Sequence, residues 1–141
     1  MLLQISDLSI SIQQRKEVIA ELRSLYATVS AVCYDSIRVS STATSDKLLD
    51  VIGKLEEMEK DLAAEVESLS VTKRQVLKLI DSLGDPAQKQ VLYLRYVRLD
   101  NEFRPMQFHV IADRLSYSYR QILRIHASGL AAIDKMSLNV T

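Results

Sequence analysis

The chain has 141 residues, enough for one compact domain or for a small domain with an extended arm, and too few for a catalytic superfold of ordinary size. Hydrophobic residues make up 48% of it, which is enough to form a buried core. It contains only 3 Gly and 2 Pro, too few turn-forming residues for a fold with many strands and tight turns. These proportions predict an all-α protein.

The formal net charge of +0 conceals an asymmetry along the chain. Residues 1–84 carry 10 Lys and Arg against 13 Asp and Glu, whereas residues 85–141 carry 8 against 5. The two parts therefore have net charges of −3 and +3. The basic part is the C-terminal one.

The single cysteine, Cys33, can form no internal disulfide, and it occupies an apolar position of a helical pattern, as a small buried hydrophobe does. The first residues contain Asp7 and lack the basic region of a secretory leader. No apolar run reaches the ~18 residues of a membrane span. We therefore expect a cytoplasmic protein with no membrane contact.

Apolar positions at alternating steps of three and four residues predict the first long helix. The positions are Ile5, Leu8, Ile12, Arg15, Ile19, Leu22, Tyr26, Val29 and Cys33, and only Arg15 is charged. A Ser- and Thr-rich stretch over residues 36–46 should end this helix, and Ser45 or Asp46 could cap the next one.

The same spacing continues from Leu48 and predicts a second helix of roughly 38 residues, about 57 Å long. Its positions are Leu48, Ile52, Leu55, Glu59, Leu62, Val66, Leu69, Lys73, Val76, Ile80 and Leu83. Neither helix can bury its apolar stripe alone, so residues 1–83 should form an antiparallel helical hairpin, a coiled coil for interaction or oligomerisation. We interpret the acidic run over residues 56–67 as its solvated outer face.

The sequence LGDP at residues 83–86 predicts the end of one helix and the start of another. Gly84 suits the left-handed position after a helix, Asp85 can cap, and Pro86 fits a first helical turn. We place a domain boundary here, so that residues 84–141 form a second domain. Three shorter helices are expected in it, at about 86–99, 106–115 and 118–134.

The last two of these helices have the pattern of a helix-turn-helix. Phe108, Ile111, Ala112 and Leu115 form one apolar face, and Ile122, Ile125, Leu130 and Ile133 form another. The small Ala112 should let the helices cross closely. Between them, Ser116 is a turn residue and Ser118 a helix cap, the spacing that the motif requires.

The second helix of this motif should carry its polar side chains near its N-terminus, the end that enters the major groove of DNA. Tyr119, Arg120, Gln121 and Arg124 lie there. Arg and Gln can form paired hydrogen bonds with base edges, while Tyr and Ser can contact phosphates. Further phosphate contacts could come from Arg95, Arg98, Arg104 and Arg114, and a dimer would double the number.

One pattern resembles region four of bacterial sigma factors, the helix-turn-helix that reads the upstream promoter element. It consists of Ile111, Ala112, Leu115, Ser118, Ile122, Ile125 and Leu130. Residues 92–97, residues 108–112, the sequence YSYRQILRIH at residues 117–126 and the polar residues 38–48 are similar to a family of small phage and prophage proteins of Gram-positive bacteria, the sigma-like or ArpU-type late transcription regulators. The similarity spans nearly the whole chain, but only about the last fifty residues carry motifs with an assignable role.

The resemblance implies a three-helix DNA-binding domain in which Ser118 caps the recognition helix and Tyr119, Arg120 and Arg124 face DNA. It differs from sigma factors at Leu123, where a basic residue commonly faces the groove, and at Ala127 and Ser128. The main promoter sequence of the host is therefore not the expected target. Nothing resembles the promoter-opening part of a sigma factor, so the chain should not replace one alone.

We expect a sequence-specific transcription regulator that binds double-stranded DNA, with the hairpin binding another copy or the host RNA polymerase. The alternative is a structural or adaptor protein, or a DNA-packaging subunit, that acts through the hairpin. No cofactor, metal or catalytic role is expected. His109 and His126 lack partners at metal-ligand spacing and should be packing or surface residues. The tyrosines suggest a base-stacking platform only weakly, since Tyr93 or Tyr96 should be buried.

Overall fold

The structure is a computed structural model that describes residues 2–35 and 42–139. Within them, side chains are described except at residues 29, 30, 32–35, 42–46, 138 and 139. The expectations for the Cys33 side chain and for the capping side chains of Ser45 and Asp46 fall outside the described part.

All regular structure in the described residues is helical, so the predicted all-α class is confirmed. The elements are α1 (Gln4–Asp35), α2 (Thr42–Asp81), α3 (Pro86–Leu92), a π-helical segment (Tyr93–Arg98) that continues α3 without a break, α4 (Phe108–Leu115) and α5 (Tyr119–Asn139). The second helix begins at Thr42, a few residues before the expected caps.

The chain divides into two compact units, and their charges differ in sign. The first consists of Met1–Ile10 and Ser68–Thr141, and the second of Ser11–Glu67. The first holds 11 Lys and Arg against 7 Asp and Glu, and the second 7 against 11, which gives +4 and −4. This division places the first ten residues and the end of α2 with the C-terminal helices, whereas the sequence suggested a boundary at Gly84.

The first unit has a core to which both ends of the chain contribute. Its buried side chains are Ile5, Val76, Ile80, Leu83, Leu92, Tyr96, Leu99 and Ile133. Ser6 adds a polar link, since its Oγ donates a hydrogen bond of 2.6 Å to the carbonyl oxygen of Phe103. The first turn of α1 therefore completes the core beneath α3 and α5.

In the second unit, polar side chains join α1 to α2. The Nε of Arg15 lies 3.0 Å from Oε1 of Glu65, which also accepts a hydrogen bond from Ser11 Oγ, and Arg23 pairs with Glu59. Later positions of α1 thus meet earlier positions of α2, which is the order that antiparallel helices produce.

Sequence spacing predicted the wrong burial for some residues of α2. Glu59 and Val66 were expected on the apolar seam but are exposed, whereas Met58 and Glu65 are partly buried. The step of three and four fits both sets of positions, and in the observed set Glu65 lies opposite Arg15 and pairs with it. The seam therefore contains Glu65.

The expected role of Gly84 is wrong. The second helix ends at Asp81, where Ser82 N–H donates to the Lys78 carbonyl oxygen, and no described glycine has a positive φ. The N-terminal signals that follow are confirmed: Asp85 Oδ1 accepts a hydrogen bond of 2.9 Å from Ala87 N–H, and Pro86 is the first helical residue. The predicted break between two helices is thus confirmed, and only the left-handed conformation expected of Gly84 is wrong.

Two glycines inside helices give opposite expectations for replacement by alanine. A Cβ on Gly129 would lie 3.0 Å from Cδ1 of the fully buried Leu92, whereas a Cβ on Gly53 meets no heavy atom within 4 Å. Gly53→Ala should therefore raise the free energy of unfolding by about 1 kcal/mol through helix propensity.

Gly129→Ala gains the same propensity but overpacks Leu92, at a cost of about 1–3 kcal/mol, so we expect a net loss near 1 kcal/mol. Urea unfolding followed by circular dichroism measures both. Leu92→Val should relieve part of the loss in the Gly129→Ala background. Equal effects of the two glycine substitutions would contradict the close approach of α5 to α3.

Candidate nucleic-acid interface

A buried cluster fixes α4 against α5. Its members are Val91, Met106, Ile111, Ala112 and Ile122, with Leu94, Phe108, Leu115 and Ile125 packed against it. Ala112 is only 6% exposed, in agreement with a close approach of the helices at this position. The apolar face of α5 divides between two cores, because Ile122 joins this cluster while Ile133 joins the one that contains Ile5.

The turn between α4 and α5 depends on a left-handed residue. Ser116 has φ 58° and ψ 37°, a conformation that a residue with a side chain adopts at some cost in energy. Its N–H and that of Tyr117 both reach the carbonyl oxygen of Ala112. The end of α4 is thereby closed by hydrogen bonds, and the expectation of Ser116 as a turn residue is confirmed.

Ser118 and Gln121 cap the start of α5 reciprocally. Ser118 Oγ accepts a hydrogen bond of 3.2 Å from Gln121 N–H, and Gln121 Oε1 accepts one of 3.0 Å from Ser118 N–H. This is a capping box, which satisfies two backbone donors of the first turn. The expected cap at Ser118 is confirmed. The pairing of Gln121 was missed, although Ser and Gln three residues apart is its sequence signature.

The remaining polar side chains at the start of α5 point to solvent. Tyr119 is 54% exposed, and Arg120 and Arg124, one helical turn apart, are both exposed. Leu123 lies between them and is 38% exposed. The first two turns of α5 thus present two arginines, a tyrosine and an apolar side chain on a helix held from behind by Ile122.

Arg104 and Arg114 lie on other elements. Arg104 belongs to the loop between the π-helical segment and α4, where its Nε is 4.0 Å from Oε2 of Glu102 and both side chains are largely exposed. Arg114 is exposed in the last turn of α4. Of the predicted site residues, only Ser118, Tyr119, Arg120, Gln121 and Arg124 share one helix start.

Sequence reasoning missed a polar cluster behind α5. The Tyr96 hydroxyl lies 2.7 Å from His126 Nε2, and the Phe108 and His126 rings form a T-shaped pair with centres 4.8 Å apart. The guanidinium of Arg95 lies 4.3 Å from the centre of the Phe108 ring and donates to the Met106 carbonyl oxygen. Tyr96 is the buried tyrosine of the pair in question, while Tyr93 is exposed.

This cluster makes stability depend on pH. Burial, and secondarily the charge of Arg95, lowers the pKa of His126 below its ordinary value of 6.5. As pH falls through 6.5, the unfolded chain gains a proton that the folded chain resists, so stability should decline below that pH and be complete above it.

Melting temperatures measured between about pH 7.5 and 5.5 test this expectation, and His126→Gln should flatten the dependence in that window. His109 is exposed on α4, so His109→Gln is the matched control and should leave the dependence unchanged. An unaltered profile in His126→Gln would assign the effect to another group.

Comparison with protein-family models, with curated proteins and with solved structures gives no match to this chain. The resemblance to region four of sigma factors therefore stays a prediction from sequence. No described helix combines the length and apolarity that crossing a membrane requires. Within the described residues, no three His, Cys, Asp or Glu side chains group as metal ligands would.

Proposed function

We propose that the protein is a sequence-specific, double-stranded DNA-binding transcription regulator of the phage type, similar in its DNA-binding part to region four of sigma factors. In this proposal α4, the turn at Ser116 and α5 form the helix-turn-helix, and α5 is the recognition helix. The activity is binding, with no catalysis and no cofactor.

The observation that carries the proposal is that the first turn of α5 is capped by hydrogen bonds and anchored by a buried side chain. Ser118 and Gln121 fix its first turn, Ile122 anchors it in a buried cluster, and Arg120 and Arg124 project from it into solvent. A preorganised helix end with exposed donors is what readout of base edges in the major groove requires.

The proposed roles follow from hydrogen-bonding capacity. Arg120 and Arg124 can each donate two hydrogen bonds to a guanine, while Tyr119 and the Ser118 hydroxyl suit phosphates. Gln121 uses Oε1 in the cap, so its contribution to DNA contact is the side-chain NH₂. Arg104 and Arg114 are proposed to contact the backbone.

The opposite charges of the two units support a division of labour. The unit that contains α5 has a net charge of +4, which favours a polyanion, and the Ser11–Glu67 unit has −4, which does not. Residues 11–67 are therefore proposed as an interaction module, an antiparallel coiled-coil hairpin that binds a second copy or the host RNA polymerase.

Incomplete burial in this module favours a second copy. Ile12 and Ile19 are buried, but no α2 side chain from Lys47 to Glu67 is, and Val66 is 45% exposed. The incompletely buried apolar side chains of α2 form a stripe that includes Leu48, Leu55, Leu62 and Val66. A dimer would cover this stripe and place two recognition helices on one pseudo-palindromic site.

Sedimentation equilibrium at micromolar concentration should give twice the 16.0 kDa of one chain. Replacing Leu62 by Lys within the partly buried stripe should shift the equilibrium toward one chain, and Lys60→Glu on the exposed face is the control. A parent protein that sediments as a single chain would move the role of the hairpin to a foreign partner.

The same stripe favours one alternative: a helical adaptor, structural or DNA-packaging protein that acts through the hairpin. Selection of bound sequences from a pool of random duplexes separates the two. A recovered motif supports the regulator, since specific sites bind far more tightly than others. Recovery of no motif would favour the adaptor.

A further inference from the structure

A groove lies between α4 and the loop that precedes it, within the first unit. Its volume is about 380 Å³, and its walls include Arg98, Asp100, Asn101, Gln107, Val110 and Arg114. Asn101, Gln107, Val110 and Arg114 are exposed, so the groove opens to solvent rather than enclosing a small molecule. On α4 it is lined by the exposed Val110 and Arg114, and the buried Met106 of the cluster that holds Ile111 and Ala112 also borders it.

The loop wall of the groove is rigidly built. Asp100 Oδ1 accepts hydrogen bonds of 2.8 Å and 2.9 Å from the N–H groups of Glu102 and Arg104, and Asp100 N–H donates to the carbonyl oxygen of Arg104. Ser6 Oγ holds the same loop through the Phe103 carbonyl. The backbone of this wall is therefore held by hydrogen bonds within the first unit.

Two arginine side chains line this groove, and neither is paired with a carboxylate in the described part of the chain. Among the described side chains, neither Arg98 nor Arg114 forms an ion pair within 4 Å, whereas Arg15 and Arg23 of the second unit do. The only acid in the groove walls is Asp100, and one of its oxygens is engaged by the loop. Unpaired guanidinium groups beside amide donors are what a phosphate binds.

We infer that the groove of Arg98 and Arg114 binds a backbone phosphate of the same duplex that α5 reads. This inference rests on the proposed function and specifies where the DNA backbone lies. In a helix-turn-helix, the second helix enters the major groove while the first crosses the sugar–phosphate backbone. Val110 and Arg114 belong to that first helix, and the shared cluster packs α4 against α5, so in this docking geometry the backbone of the duplex that α5 reads passes along α4.

The test measures affinity against salt concentration for the selected duplex and for an unrelated duplex. Arg98→Gln and Arg114→Gln should each reduce by about 0.9 the slope of the logarithm of affinity against the logarithm of salt concentration. Each should weaken binding to both duplexes about eightfold at 0.1 M salt, because one lost phosphate contact releases about 0.9 fewer counterions from the DNA. The ratio between the two duplexes should stay unchanged, since a phosphate contact carries no sequence information.

Matched variants separate this from a general charge effect. Arg74→Gln removes the same charge from an exposed position of α2 in the same unit and should change neither slope nor affinity by as much. Arg98→Lys should retain the slope. Asp100→Asn keeps the Oδ1 acceptor but removes the negative charge, so it should strengthen binding to both duplexes. Circular dichroism and melting temperature verify that every variant folds.

Three outcomes overturn the inference, and each is distinct. If the parent binds no duplex at all, the proposed function falls and this contact falls with it. If Arg120→Ala with Arg124→Ala abolishes specificity while the groove variants behave like Arg74→Gln, the function stands and the groove assignment is wrong. If inorganic phosphate alone binds the groove and Arg98→Gln removes that binding without altering duplex affinity, the groove serves a free anion.

Discussion

Arg120→Ala combined with Arg124→Ala should weaken binding to the selected duplex by several kcal/mol, about 1–3 kcal/mol for each lost pair of hydrogen bonds to a base. Both side chains are exposed one turn apart on α5, so they can reach adjacent bases in one groove. Affinity for an unrelated duplex should fall much less, because non-specific binding depends on total charge. Fluorescence anisotropy with both duplexes measures the change.

The fold should not respond to this double substitution. Neither arginine forms an ion pair within the described part of the chain, and both are replaced by a strong helix former. Helical content and melting temperature should stay near those of the parent. Lys135→Ala, which removes a charge from an exposed position near the other end of α5, is the control. Unaltered affinity for the selected site would refute the assignment of α5 as the recognition helix.

Ile122→Ala should lower the free energy of unfolding by about 2–5 kcal/mol. Ile122 is 0% exposed and lies where α4, α5 and the end of α3 meet, so truncation leaves a cavity that rigid helices on three sides cannot fill. Leu123→Ala removes an apolar side chain from the next position, which is 38% exposed, and should cost less than about 1 kcal/mol.

Urea unfolding monitored by circular dichroism measures both substitutions. Because the chain has two compact units, two transitions are possible, and the one altered by Ile122→Ala identifies the unit of Met1–Ile10 and Ser68–Thr141. Gly53→Ala should act on the other transition. Similar losses for Ile122→Ala and Leu123→Ala would contradict the orientation of α5.

Local signals predicted the starts of α3 and α5 correctly, although α2 begins at Thr42, before its expected caps. Asp85 with Pro86, and Ser118, were predicted as start signals because a cap acts through hydrogen bonds to its own first turn, which neighbouring residues determine. Likewise, the strong spacing of Ile111, Ala112 and Ile122 predicted their burial. These features need no knowledge of distant parts of the chain.

Features that depend on distant partners were missed. On the seam of α2, Glu65 is partly buried in place of Val66, and it pairs with Arg15, which lies on another helix. The regular apolar spacing of α1, which begins at Ile5, also gave no reason to join Ile5 to the C-terminal core. The π-helical segment that aligns Arg95 and Tyr96 with α4 and α5 has no sequence signature of its own, since its energy is balanced by tertiary packing.

Because Ile5 and Ile133 belong to one core, the order of synthesis matters for this chain. The first turn of α1 is synthesised before its partners in the core, and it must wait until α5 has left the ribosome. The helices of residues 11–67 can pair earlier, since their contacts close a shorter loop. We therefore expect the acidic unit to form during translation before the basic unit, whose core closes only once α5 has been synthesised.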